Sequence, residues 1–165
     1  QALLGHPRLL LLDEPTVGLD PIAVRDFFLT LEELRRRGTT VIISSHVLPG
    51  IEQHIERVAI LRNGSLQALG TLKELRRQAR LPLRIRASGN WPKGFWESRL
   101  NGQGITGYQL NCTRLEIDSS LERKLDVMRL LLSEKSVQDI DVQPPSLESL
   151  YVHFTGIEQP ESDNA

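Results

Sequence analysis

The chain has 165 residues, 39% hydrophobic and 25% charged, with one cysteine and a formal net charge of −1. That length supports one ordinary domain or two small ones, each able to bury a core. A single Cys excludes a disulfide framework and a Cys-built zinc or iron–sulfur site, and 20 basic against 21 acidic residues leave no electrostatic footprint for nucleic acid or an anionic membrane.

No apolar run approaches the ~18 residues of a membrane helix, and no signal peptide opens the chain, whose first residue is Gln1. The charge balance is +2 up to residue 80 and −3 beyond it, which suggests two regions: 1–80, then 81–156, with a frayed polar tail over 157–165.

The first region alternates strand and helix patterns. Leu9-Leu10-Leu11-Leu12, ending on Asp13, reads as a strand buried on both faces. Asp20-Pro21 supplies an N-cap and a proline at the first helical position; Val24, Phe27, Phe28, Leu31 and Leu34 follow at helical spacing, and Gly38 ends the helix. Thr39 to Ser44 is β-branched and apolar, a second buried strand, so the three elements form a right-handed βαβ crossover with parallel strands. A short helix is expected over Leu48 to Arg57. Val58 to Leu61 turns at Asn63-Gly64 into Ser65 to Leu69 as a β-hairpin. Thr71-Leu72-Lys73-Glu74 is a capping box that opens a helix fading near Arg80.

The second region has another rhythm. Leu83 to Ala87 alternates apolar and basic residues as a half-buried strand does, while Asn90 to Gly107, rich in Gly, Pro and aromatics, carries no clear pattern. Tyr108 to Asn111 and Leu115 to Asp118 read as paired strands. Ser119 is expected to cap a helix whose apolar face is Leu121, Leu125, Met128 and Leu132. Val137 to Val142 is a strand stopped by Pro144-Pro145, and Ser146 opens a final helix with Leu147, Leu150, Tyr151 and Phe154 on one side. The order suggests a small α+β sandwich of ferredoxin-like type.

Chemistry concentrates between Leu9 and His46. A buried parallel strand ending in Asp13 and Glu14 places two carboxylates at the carboxyl edge of a sheet, where α/β ligands bind. Side chains alternate along a strand, so the two acids take different jobs. One suits a hydrated Mg²⁺ beside a phosphate; the other suits orienting and deprotonating a water for in-line attack. The second strand runs into Ser44-Ser45-His46, which brings an imidazole to the same edge, able to hydrogen-bond a phosphate oxygen and the attacking water.

These residues carry a resemblance. Leu9 to Pro15 looks like the Walker B motif of ABC-type ATPases, Val17-Gly18-Leu19-Asp20 like their D-loop, and Ser45-His46 like their H-loop; Gln1 to Pro7 resembles the helix that follows their signature loop. The resemblance covers residues 1 to about 76 and implies the C-terminal part of a P-loop ABC-type nucleotide-binding domain, a parallel βαβ core plus hairpin, followed by the ferredoxin-like domain. It implies Asp13 as the magnesium-water carboxylate, Glu14 as general base, His46 as the γ-phosphate switch, and Asp20 in the loop that crosses to the partner in a head-to-tail ATP sandwich. It further implies ATP and Mg²⁺ as cofactors, a homodimer of ATPase subunits, a transmembrane permease as partner, and a cytoplasmic place on the inner face of the plasma membrane.

Within the family, Val17 to Pro21, Ser44 to Gly50 and Leu66 to Gly70 are similar to the NosF-type ATPase of the nitrous-oxide-reductase maturation transporter, which implies a role in copper-site assembly. Pro145 to Tyr151 resembles the closing helix of many ABC-2-type exporter ATPases, which act on lipids, drugs and other substrates. The rival from another class is a soluble ABC-type ATPase without a permease; a third reading makes residues 81 onward a regulatory or dimerisation module.

ATP binding needs a Gly-rich loop with Lys and Ser/Thr opening a helix, and none of the 12 glycines is followed by Lys. The Q-loop and signature loop of the family are not found either. The chain therefore reads as a fragment beginning just after the signature, inactive alone. Gly102 to Gly107 matches a GxGxxG pattern but lacks the required strand before and helix after, so a loop is expected. His6, His54, His153, Cys112 and Met128 show no metal-ligand spacing, and Asn111-Cys112-Thr113 is a glycosylation sequon only in form.

Overall fold

The computed structural model describes residues 7–100 and 105–157. Contacts divide the chain into two compact units between Glu56 and Arg57.

In the first unit, strand β1 (Leu9–Asp13) leads to helix α1 (Pro21–Arg36) and strand β2 (Thr40–Ser44). β1 and β2 are parallel and in register from Leu9 opposite Thr40 to Asp13 opposite Ser44. The Asp20 carboxylate caps α1 by accepting the Ile22 and Ala23 N–H groups, each at 2.9 Å, and Pro21 follows at the position whose N–H needs no helical partner. The apolar stripe of α1 buries Phe28, Leu31 and Leu34 against Leu10, with Leu12, Val41 and Ile43 partly covered.

Burial on both strand faces does not hold. Leu9, Leu11 and Ile42 are exposed, at 51%, 66% and 55%. The pleat sends alternate side chains to opposite faces, and α1 covers only one of them. The helix expected over Leu48 to Arg57 is a single 3₁₀ turn, Ile51–Gln53, entered through Gly50 at φ +81°. Pro49 and Gly50 together disfavour a longer helix there. His54 stacks on Phe28, ring centroids 4.1 Å apart and 3° from parallel, so this histidine packs the unit.

The second unit begins with the hairpin β3 (Val58–Arg62) and β4 (Ser65–Gly70), joined through Asn63 and Gly64 at φ +49° and +74°. Two successive positive φ values give the tight turn whose twist suits a hairpin. Helix α2 (Leu72–Ala79) follows, with the capping box complete: Thr71 Oγ1 accepts the Glu74 N–H at 3.2 Å, and Glu74 Oε2 accepts the Thr71 N–H at 2.8 Å. The bond from the Thr71 N–H, and after it the bond the Thr71 hydroxyl donates to Glu74 Oε2 at 3.0 Å, lower the Glu74 pKa below its ordinary value. A carboxylate lowered on folding stabilises the folded state above its unfolded pKa, and that contribution is lost as pH falls through the folded value. Thr71→Ala removes the N-cap of α2, a loss that typically costs about 1 kcal/mol. Its deficit should shrink below the carboxylate range, a trend that urea unfolding at a series of pH values measures.

The remaining strands are β5 (Leu83–Gly89), β6 (Thr106–Leu110), β7 (Arg114–Ser119) and β8 (Val137–Gln143), with helices α3 (Phe95–Leu100), α4 (Lys124–Leu132) and α5 (Leu147–Thr155). The sheet order is β6-β7-β5-β8, every neighbouring pair antiparallel. Together with the chain order β-α-β-β-α-β this is the expected ferredoxin-like arrangement. One face builds the core from Leu83, Ile85, Ala87, Leu115 and Ile117 of the sheet with Trp96 and Leu100 of α3 and Val127 and Leu131 of α4. The other face is charged: Arg86 pairs with Glu116 at 2.9 Å and Arg84 with Asp118 at 3.3 Å. At Gly89 a β-carbon would lie 2.2 Å from the Ser136 carbonyl oxygen and 2.4 Å from the Trp91 ring, so the strand end accepts no side chain.

Three expectations change here. Ser119 does not cap a helix; it is buried as the last residue of β7, paired with Leu83, and α4 starts only at Lys124. The face of α4 that meets the sheet carries Val127 and Leu131, whereas Leu121, Leu125 and Leu132 are 66%, 62% and 70% exposed. The unpatterned stretch after Asn90 holds α3 and the largest buried side chain, Trp96. A division at residue 80 also differs from the contacts, because α5 returns to α2 and the hairpin, placing Leu150 with Ile60, Ala68 and Leu75. Gly107 lies within β6, so no helix opens there. Gln1 to His6, Asn101 to Gly104 and the tail from Glu158 lie outside the described residues.

Candidate functional site

The site is built where β1 and β2 end. Parallel register sets Asp13 beside Ser44, the last residues of their strands. The chain then leaves β1 through Glu14 at φ +44°, left-handed backbone that a side-chain-bearing residue adopts at a cost. Two acceptors hold it there: the Glu14 N–H reaches both the carbonyl oxygen and the hydroxyl of Ser44, each at 3.2 Å. The same hydroxyl donates to Asp13 Oδ1.

This turn brings Glu14 to His46, with Oε1 and Nδ1 2.8 Å apart. The imidazole is 73% exposed and the carboxylate 33%. Glu14 Oε2 is buried and has no hydrogen-bond partner among the described residues. A buried carboxylate oxygen without a donor is costly to keep, and a water is the smallest group that satisfies it. His46 is presented by a short side-chain turn in which Ser45 Oγ accepts the Val47 N–H at 3.1 Å.

The turn after Glu14 closes through the Val17 N–H to the Glu14 carbonyl at 3.3 Å and the Leu19 N–H to the Thr16 carbonyl at 3.2 Å, with Gly18 at φ +80°. It delivers Asp20 to the head of α1. Of the four candidate residues, Asp13, Glu14 and His46 stand together at the sheet edge, Asp13 and Glu14 linked through Ser44. Asp20 has its Oδ1 engaged by the helix N-terminus, and no hydrogen bond or ion pair among the described residues joins it to the other three.

Asp13 fits a divalent cation. One oxygen takes the Ser44 hydroxyl, and the other makes no hydrogen bond among the described residues. A carboxylate with one oxygen to spare suits Mg²⁺, which keeps most of its waters and takes the rest of its shell from phosphate. Among the described residues no group of three or more His, Cys, Asp or Glu is placed to cage a metal by itself. Ser44 was not among the sequence candidates; the signal for it was its place opposite Asp13 once the two strands are aligned in parallel.

Residues 2–50 match a family model described as "AAA domain, putative AbiEii toxin, Type IV TA system". The linearmycin resistance ATP-binding protein LnrL of Bacillus subtilis is 31% identical over 94% of this chain and 52% of its own length. The bacitracin transport ATP-binding protein BcrA of Bacillus licheniformis is 31% identical over 87% of this chain and 50% of its own. The bovine retinal-specific phospholipid-transporting ATPase ABCA4 is 29% identical over 93% of this chain and 7% of its own. The chain thus spans about half the length of the two bacterial relatives. The similarity to ATP-binding proteins of transporters runs through both units.

Proposed function

We propose that these residues are the C-terminal part of the ATP-binding subunit of an ABC transporter, and that in the complete subunit they carry out the water-activation half of ATP hydrolysis. The observation that carries this reading is the Glu14–His46 pair at 2.8 Å beside Asp13, with the second Glu14 oxygen buried and unpartnered among the described residues. In this reading Glu14 holds a water by Oε2 and takes its proton as the water attacks the γ-phosphorus in line, while the bond from that phosphorus to the β,γ-bridging oxygen breaks and ADP leaves with the electron pair. His46 bonds Oε1, keeps the carboxylate turned toward that water, and presents the rest of its exposed ring to a phosphate oxygen. Asp13 would hold a water of the Mg²⁺ shell. The ion supplies charge neutralisation on the phosphate oxygens, which is most of what phosphoryl transfer requires of its surroundings.

The 165 residues contain no Gly-Lys pair, so the loop that cradles the phosphates is not among them. Asp20 is assigned to the turn that would face a second ATPase subunit in a head-to-tail dimer, its carboxylate serving as a helix cap in the described chain. No helix among the described residues is long and apolar enough to cross a membrane. The transport named for the relatives supports pairing this subunit with a transmembrane permease on the cytoplasmic face.

For the cargo, the relatives' names speak of linearmycin resistance, bacitracin transport and phospholipid transport. They support an exporter of lipid-like or antibiotic substrates and lend nothing to copper-site maturation of nitrous oxide reductase, which rests on short loop similarities alone. A soluble ATPase without a permease is the second reading, favoured by the AAA-type match over residues 2–50. The transporter reading has the wider support, since the transporter relatives extend across the second unit.

The test compares two chains in ATP turnover. The 165-residue chain is expected to show none that depends on Glu14. A longer chain from the same gene, carrying a Gly-rich loop with Lys, is expected to hydrolyse ATP and to copurify with a polytopic membrane protein. Hydrolysis without a membrane partner would favour the soluble reading, and absence of nucleotide binding by the longer chain would overturn both.

A further inference from the structure

We infer that Ser44 is a positioning residue for this reaction: its hydroxyl ties the Asp13 carboxylate to the Glu14 backbone, so that the metal-water acid and the general base are held as one unit. The inference rests on the proposed ATPase reading and adds a residue to it.

Glu14 sits at φ +44°. Left-handed backbone at a residue with a β-carbon persists where neighbours over-determine it. The over-determination here comes from one residue of the neighbouring strand, since both acceptors of the Glu14 N–H, at 3.2 Å, belong to Ser44. The carbonyl bond is within reach of any residue at that register position. The hydroxyl bond is not.

A serine hydroxyl offers one donor and two acceptor lone pairs. At Ser44 the proton goes to Asp13 Oδ1 and a lone pair takes the Glu14 N–H. The two bonds act in the same sense. Donation to Oδ1 turns the Asp13 carboxyl so that its other oxygen is the one left for a metal-bound water. Acceptance from Glu14 sets the backbone from which the Glu14 side chain reaches His46. Bonds to an ionised carboxylate are among the stronger ones, so the Asp13 link anchors the pair. A shift of about 1 Å in the position of a reacting group is enough to cost on the order of 100-fold in rate.

The residue type follows from place. Ser44 ends β2 with an exposed side chain, so a threonine there keeps the hydroxyl, suits strand backbone and meets no packed neighbour that its methyl would displace. An alanine keeps the fold and the carbonyl bond and removes both hydroxyl bonds.

The experiment uses the full-length ATPase subunit and compares wild type with Ser44→Ala, Ser44→Thr and Glu14→Gln. Ser44→Ala is expected to lower kcat at least 10-fold with KM for ATP within about threefold, and Ser44→Thr to stay within about threefold of wild type in both. A second readout does not depend on turnover. In the Glu14→Gln background, Mn²⁺ binding in the presence of ATP, followed by electron paramagnetic resonance, is expected to weaken several-fold with Ser44→Ala and to recover with Ser44→Thr. Wild-type kcat and Mn²⁺ affinity in Ser44→Ala would overturn the inference, as would equal impairment of the two Ser44 variants. So would a loss confined to KM. If wild-type turnover itself does not depend on Glu14, the ATPase reading fails, which is distinct from a failure of Ser44 alone.

Discussion

Replacing Glu14 by glutamine in the full-length subunit is expected to cut ATP turnover by about 10²–10⁴-fold, the range supplied by a positioned general base. Nucleotide binding should survive, with KM for ATP close to wild type, because glutamine is isosteric and the lost function is proton acceptance. The prediction is specific to this carboxylate. Glu14 has one oxygen on His46 at 2.8 Å and the other buried without a partner among the described residues, an arrangement with a place for a reacting water. Asp13, one residue earlier, has its Oδ1 committed to the Ser44 hydroxyl. Steady-state kinetics over a range of ATP concentrations separates the two effects. Unchanged kcat in Glu14→Gln would remove the base assignment.

Trp96→Ala is expected to destabilise the second unit by about 3–5 kcal/mol, the usual cost of emptying a large aromatic site. Trp96 is fully buried and meets Trp91 and Phe95 edge to face, with ring centroids 5.6 and 5.3 Å away. Domains of this kind retain only about 5–15 kcal/mol in all, so such a loss places the variant near unfolding at growth temperature. Its indole N–H is buried without an acceptor among the described residues, which makes Trp96→Phe much milder than the alanine change, as deletion of an unsatisfied donor offsets part of the lost packing. The matched control is Leu132→Ala. Leu132 is 70% exposed, and its removal is expected to stay within about 0.5 kcal/mol. Denaturant unfolding of the three variants ranks them; a Leu132→Ala loss as large as that of Trp96→Ala would mean that α4 meets the sheet by its other face.

That pair of residues also shows what the sequence made legible. The βαβ unit was readable because its signals agree: apolar runs for strands, Asp20-Pro21 for a helix start, and Gly38 for its end. The ferredoxin-like order followed from counting strands and helices even with one element missing. α4 misled because Leu130, Leu131 and Leu132 are consecutive, so the helical period can be drawn through more than one face. Val127 and Leu131 reach the core because α4 starts at Lys124, after a turn that the Ser119 cap reading overlooked. α3 was unreadable because six residues are less than two turns, too short for a period, and its aromatic content resembles that of a loop.

At the site, Asp13, Glu14 and His46 were legible from strand ends in parallel. The exposure of Leu9, Leu11 and Ile42 was not, since a local pattern cannot tell which face a helix will cover. Asp20 carried two readings, helix cap and interface loop; the described chain displays the first. Ser44 was invisible for a different reason. A serine at the end of a strand is common, and only the parallel register and the left-handed Glu14 give it a role.

The most direct test of the central claim, that Glu14 and His46 act as one device, is a double-mutant cycle on kcat in the full-length subunit with Glu14→Gln, His46→Ala and both together. If the histidine works by holding the base, the double variant turns over within about threefold of Glu14→Gln alone, since residues that act as a unit lose their function only once. Losses that multiply, with the double variant slower than Glu14→Gln by the full factor of His46→Ala, would show two independent contributions and contradict the pairing on which the site is built.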